Sequence, residues 1–211
     1  MICRRSFAQR SVRVGGAYHG AVSRTVAYGE GRDLLVAATV EVVAEKGLRG
    51  LTFRAVAARA GVNNSLVAHH FGTRQALLAA ALEWAVEQSI DSTGLLELGS
   101  GDAFADSLLA SITEQPELQA FQYEMILEAR RDPLFRPDVG KLYDRYQEVV
   151  EKSLREAGAA GDVTARARRV FATLDGLVLQ YIAGLDEAEL RSALHDLWES
   201  MELSERPGIG R

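Results

Sequence analysis

The chain has 211 residues, 47% of them hydrophobic, which is enough apolar material for a sizeable core in one large domain or in one small and one larger domain. No run of about 18 apolar residues occurs, so no membrane-spanning helix is expected; the single cysteine, Cys3, excludes a disulfide framework and points to a reducing cytoplasm. The net charge of -5 conceals a division, because residues 1–80 hold 11 Lys and Arg against 4 Asp and Glu while residues 81–211 hold 13 against 25. An acidic chain with a basic N-terminal third suggests one module that meets a polyanion and one that does not.

Residues 1–29 contain no acid and carry Arg4, Arg5, Arg10, Arg13 and Arg24 among small and polar residues. No apolar core of a secretory signal follows. The composition favours a disordered tail, ahead of a basic arm that reaches DNA and of a translated stretch upstream of the true start. From about Arg32 to Lys46, Leu34, Leu35, Ala38, Val42 and Val43 form a wide apolar stripe that predicts an amphipathic helix, with Gly47 as its stop.

The stretch Leu51 to Phe71, LTFRAVAARAGVNNSLVAHHF, predicts two short helices around a tight turn. Thr52 caps the first and Asn63 the second; Gly61 supplies the turn's backbone freedom. Val56, Ala57 and Ala60 make the inner face of the first helix, and Val62, Val67 and Phe71 that of the second. The opposite side of the second helix carries Asn63, Asn64, Ser65, Leu66 and His69, which are small or able to hydrogen-bond. This is the outline of a helix-turn-helix, whose second helix enters the DNA major groove. Thr73 then caps a longer helix, Arg74 to about Gln88, with Leu77, Leu78, Ala81, Trp84 and Ala85 as its apolar positions.

The run from Arg32 to Leu78 resembles the DNA-binding domain of the TetR family of transcriptional regulators. The residues that carry the resemblance are Glu45-Lys46-Gly47, Leu51-Thr52, Val56-Ala57, Ala60-Gly61-Val62, His70-Phe71-Gly72, Arg74 and Leu77-Leu78, with no gaps needed. The family usually has Tyr at Ala68, often Gly or Pro at Ser65 and usually Lys at Arg74; the backbone contact of that Tyr is not carried over. The resemblance implies an all-α fold, with an N-terminal three-helix DNA-binding domain over 30–90 and a C-terminal helical ligand-binding and dimerisation domain over 91–205. It implies a repressor released from its operator by a small-molecule effector. An effector-independent DNA-binding protein, or a helical interaction protein on the same scaffold, is the alternative.

The chemistry of the residues assigns roles within that frame. Thr52, His70 and Arg74 are candidates for phosphate contacts, which fix register and carry little sequence information. Asn64 can pair with adenine, Arg54 with guanine, Leu66 can lie against a thymine methyl, and His69 can donate to a purine. Asn63 serves the cap, the DNA, or both. Leu66 also reads as partly core, and Arg54 and Arg59 as solvated charge, Arg54 being the better candidate for DNA.

Beyond the helix that Thr73 caps, residues 91–101 read as a loop. Helices follow over Asp102 to Thr113, from Pro116 to Asp132-Pro133, from Pro137-Asp138 to about Ala157, from Asp162, and from Asp186. The helix after Asp162 has two apolar faces, Val163, Ala167, Val170, Leu174, Leu177 and Tyr181 on one and Phe171, Val178, Ile182 and Leu185 on the other. With Leu190, Leu194, Leu197 and Met201 on the last helix, this favours a homodimer seam built as a four-helix bundle over the alternative of a well-buried monomer core. Phe104, Phe121, Met125 and Phe171 are candidates to line a cavity for a mainly apolar ligand, although aromatic and Met positions at helical spacing are more often plain core. Asp175, alone among apolar neighbours, reads as a structural acid or as a polar group at the cavity or seam. No catalytic motif, metal-ligand spacing or cofactor loop occurs; His69 and His70 point about 100° apart on a helix and cannot chelate one ion unaided.

Overall fold

Each helix start that the sequence marks with a short polar residue is closed by that residue's side chain. Thr52 accepts from the Ala55 N–H, Asn63 from Ser65, Thr73 from Ala76, Asp162 from Ala165 and Asp186 from Ala188. The computed structural model describes residues 30–93 and 101–201, and among these every regular element is helical. The helices are α1 (Glu30–Lys46), α2 (Phe53–Ala60), α3 (Asn64–Phe71), α4 (Arg74–Ser92), α5 (Gly101–Glu114), α6 (Pro116–Arg131), α7 (Arg136–Glu156), α8 (Val163–Ile182) and α9 (Glu187–Ser200). Short 3-10 turns precede α2 and α7. The expected basic arm over 1–29, residues 94–100 of the expected loop, and residues 202–205 lie outside the described residues.

The first three helices enclose a small core. Leu35, Val42 and Val43 of α1, Val56 and Ala57 of α2 and Val67 of α3 are buried together. Gly61 ends α2 at φ 68, a left-handed conformation that costs a residue with a Cβ, and so turns the chain sharply into α3. Arg59 bonds Glu41 at 3.0 Å and also Glu45, which ties α2 to α1. The Arg32 guanidinium lies 5.8 Å from the Phe71 ring centroid and ties α1 to α3.

Helix α4 continues one turn past the expected end. Its inner stripe runs Leu77, Leu78, Ala81, Leu82, Ala85, Val86, Ser89 and Ile90, all buried. The apolar register thus carries through Asp91 and Ser92, which read as loop from their side chains alone. The Thr93 N–H donates to the Ser89 carbonyl at 3.0 Å and closes the end. Behind α4, α6 packs on both α1 and α4, and α7 on α4 and α8, so the small core and the larger one share α4 and α6. No helix of the described residues is long and apolar enough to cross a membrane.

Candidate nucleic-acid interface and inner cavity

Helix α3 turns one side inward and leaves the other to solvent. Val67 is fully buried, Leu66 and Phe71 are half-buried against the core, and Asn63, Asn64, Ser65, Ala68 and His69 are exposed. His70 is half-buried, its ring meeting His69 edge-on at 5.6 Å. Among the described residues no group of three or more His, Cys, Asp or Glu could hold a metal ion.

The candidate DNA contacts differ in how far the protein already uses them. Asn63 is turned back on its own backbone, its Oδ1 accepting from the Ser65 N–H at 2.9 Å and from the Ser65 hydroxyl at 3.0 Å. Asn64 stands one residue on, in the first turn of α3. Thr52 caps α2 at 3.0 Å and Arg54 stands exposed in the first turn of that helix. Arg59, on the same helix, is committed to Glu41 and Glu45, and its pKa is raised by those two hydrogen bonds. Arg74 donates to the Leu48 carbonyl at 2.8 Å while remaining exposed, so it pins the turn before α2 and still presents charge.

The second site is a small cavity of about 50 Å³ among α5, α6, α7 and α8, bordered at the end of α4 by its C-cap Thr93. Thr93, Gln122, Tyr123, Tyr146, Phe171 and Asp175 are among its lining residues. A buried polar chain runs along it: the Tyr146 hydroxyl donates to the Gln122 side-chain Oε1 at 3.0 Å, and Gln122 Nε2 donates to the Ser89 hydroxyl of α4 at 2.9 Å. Burial pushes the Tyr146 hydroxyl up to about 12 and keeps it a neutral donor. On the opposite wall the Tyr123 hydroxyl donates to Asp175 Oδ1 at 2.9 Å, with the Asp175 carbonyl oxygen also at 3.0 Å. The Tyr146 and Phe171 rings stack at 4.9 Å, and Tyr143 meets Phe171 edge-on at 6.0 Å.

Of the four aromatic and Met positions expected at a cavity, Phe171 lines this one. Phe104 borders a separate crevice of about 10 Å³ with Val150 and Leu154. Phe121 and Met125 are wholly inside the core and outside the lining of both spaces, because the inner stripe of α6 that carries them faces packed side chains. Sequence reasoning passed over Ser89, Gln122, Tyr123 and Tyr146. The available signal was Ser89 and Gln122, uncharged polar residues set within apolar helical stripes. A larger concavity, about 520 Å³, is an open trough between α4 and α7, crossed by the two bonds of Arg145 to Glu87 at 2.6 and 2.9 Å.

Two family models match the chain. Residues 35–81 fit "Bacterial regulatory proteins, tetR family", and residues 99–200 fit "Tetracyclin repressor-like, C-terminal domain". The chain is 31% identical over 126 residues to the HTH-type transcriptional regulator CymR of Pseudomonas putida, a stretch covering 58% of this chain and 62% of CymR. In fold it is similar to a putative TetR-family transcriptional regulator from Rhodococcus sp., with a TM-score of 0.70 at 23% identity over 82% of this chain and 98% of that one. It is also similar to the multidrug binding protein EbrR complexed with proflavin, with a TM-score of 0.55 at 27% identity over 80% of this chain and 99% of that one.

Proposed function

The chain belongs to the TetR family of bacterial transcriptional regulators, and from that premise we propose that it is a dimeric cytoplasmic repressor released from a near-palindromic operator by a small molecule. Residues 30–90 form the reading head, and residues 91–205 the regulatory and dimerisation domain. The observation that carries this reading is the continuity of α4. Its first turn follows the exposed face of α3, and its last turn enters the polar chain that borders the inner cavity.

In the head, exposed Asn64, Ser65 and His69 of α3, with Arg54 of α2, face base edges, and Leu66 offers a partial apolar edge. Thr52, His70 and Arg74 hold phosphates, and Asn63 positions α3 through its cap. Each phosphate neutralised contributes a salt slope of about -0.9. A molecule that enters the cavity displaces the groups bonded to Ser89 and shifts α4, and with it the spacing of the two heads. The effect requires the molecule to bind the released conformation more tightly than the DNA-bound one. A 100-fold loss of operator affinity corresponds to about 2.7 kcal/mol of such difference. The similarity to a protein that binds proflavin supports a small organic effector.

The test is selection of random duplex DNA by the purified full chain at fixed salt. Enrichment of a near-palindrome is the expected result. Binding that is salt-sensitive but enriches no motif, or no binding by protein freed of small molecules by unfolding and refolding, overturns the reading.

A further inference from the structure

We propose that the inner cavity takes a lipophilic organic cation, paired with the Asp175 carboxylate and seated against the rings of Tyr146 and Phe171. The inference rests on the ligand-responsive reading above and adds the chemical class of the ligand.

Asp175 lies in the middle of α8, half-buried, with Leu174, Leu177 and Val178 buried around it. Its side-chain partner is the Tyr123 hydroxyl, a neutral donor. Burial raises its pKa and the Tyr123 hydrogen bond lowers it, and no basic side chain contributes. A partly desolvated carboxylate without a countercharge is costly at neutral pH. Fold stability alone would favour Asn or Leu at this position. A ligand cation supplies the missing charge, and the low polarity of the surroundings strengthens the pairing.

The rest of the wall suits the same class. Tyr146 and Phe171 of the lining stack at 4.9 Å, and Tyr143, outside the lining, meets Phe171 edge-on. Aromatic faces attract organic cations, and most strongly where water is excluded. An anion would meet Asp175 with repulsion, and a neutral hydrocarbon would strip water from the carboxylate and return nothing. At about 50 Å³ the cavity is far smaller than the roughly 300 Å³ lower bound for a drug-sized ligand, so entry parts the Tyr146–Phe171 stack. Tyr146 is bonded to Gln122, and Gln122 to Ser89 of α4, so parting the stack pulls on α4 itself.

The probes are tetraphenylphosphonium and benzyltrimethylammonium, with neopentylbenzene as the neutral isostere of the second. Calorimetric titration of the full chain is expected to show binding of at least one cation. Neopentylbenzene should bind at least about tenfold more weakly than benzyltrimethylammonium where the latter binds, and Asp175→Asn should weaken the bound cation by about tenfold or more. Binding of neither cation, equal binding of the isosteric pair, or unchanged affinity in a folded Asp175→Asn protein overturns the proposal. Should that variant fail to fold, Tyr146→Leu, which removes a ring face, provides the second comparison; unchanged cation affinity there is equally fatal. Operator binding is measured separately. A chain that binds its operator but neither cation loses only the ligand class, and one that binds cations through Asp175 but reads no DNA keeps the site and loses the repressor reading.

Discussion

Asn63 and Asn64 are neighbours of identical chemistry in different employment. The carboxamide of Asn63 is spent on Ser65, and that of Asn64 is exposed on the first turn of α3. Asn64→Ala should therefore leave the melting temperature unchanged while weakening the selected operator by roughly 5- to 150-fold, equivalent to about 1–3 kcal/mol, with the preference relaxed at one mirrored pair of positions. Asn63→Ala should instead lower stability by about 1 kcal/mol and weaken all sequences alike. Titration of operator variants with parallel thermal melts separates the two. The caps and the Gly61 turn were legible in the sequence because each is a local event, with a donor two or three residues from its acceptor. Asp175 was legible only as an oddity. Its company, Tyr123, Tyr143 and Tyr146, comes from α6 and α7, and no periodicity announces a meeting of side chains some 30 to 50 residues apart.

Asp175 also carries a prediction in pH. Burial holds its proton more tightly in the folded chain than in the unfolded one, so the group's contribution to stability is present in acid and lost as pH rises through its raised folded value. At neutral pH Asp175→Asn should accordingly raise the melting temperature, and the gain over the parent should vanish on acidification below the ordinary carboxylate range. The facing groups, Tyr123, Tyr143 and Tyr146, all have raised pKa values and remain neutral throughout that window.

At the scale of the element, α4 explains both what sequence reading finds and what it misses. Its start is marked by Thr73, its inner stripe by Leu77, Leu78 and Ala81. Its end is obscured because Asp91 and Ser92 look like turn residues, whereas burial of Ser89 and Ile90 decides the outcome. Ser89 is the polar point at which α4 joins the hydrogen-bonded chain bordering the cavity, accepting from the cavity-lining Gln122 at 2.9 Å. Ser89→Ala leaves the Gln122 donor without that acceptor in a buried place, at a cost of about 1–3 kcal/mol. The melting temperature should fall by several degrees. Ser89→Ala combined with Gln122→Leu should recover part of the loss, since both polar partners are then gone, although Tyr146 must find another acceptor. If α4 transmits the cavity's state to the head, the double variant should bind operator normally and respond weakly to effector. Normal release by effector in that variant would mean that coupling runs elsewhere, through α6 on α1 for instance.

For the whole molecule the decisive question is what covers α8. Its first apolar face is used within the chain, with Val163, Ala167, Val170, Leu174 and Leu177 buried. The second face, expected at a seam, is divided. Val178 is buried, Phe171 and Leu185 are half-buried, and Ile182 is 48% exposed; Leu179, beside that face and not among the expected residues, is 50% exposed. Two large aliphatic side chains one turn apart on a helix, followed by Leu185, make a strip that a second copy can cover by twofold symmetry. The strip is too small to hold a dimer alone, so a dimer of the proposed kind also uses the exposed sides of α9. A reading head of one protomer sees a single half-site, and two heads bound together multiply their affinities through effective concentration. Leu179→Glu with Ile182→Glu places four like charges across the axis and should yield a particle of 23.0 kDa by light scattering, where the parent gives about twice that mass. The same protein should retain its melting transition and bind a full operator no better than a half-site. A parent chain that already runs as a monomer at micromolar concentration would remove the dimer from the proposal, and with it the palindrome.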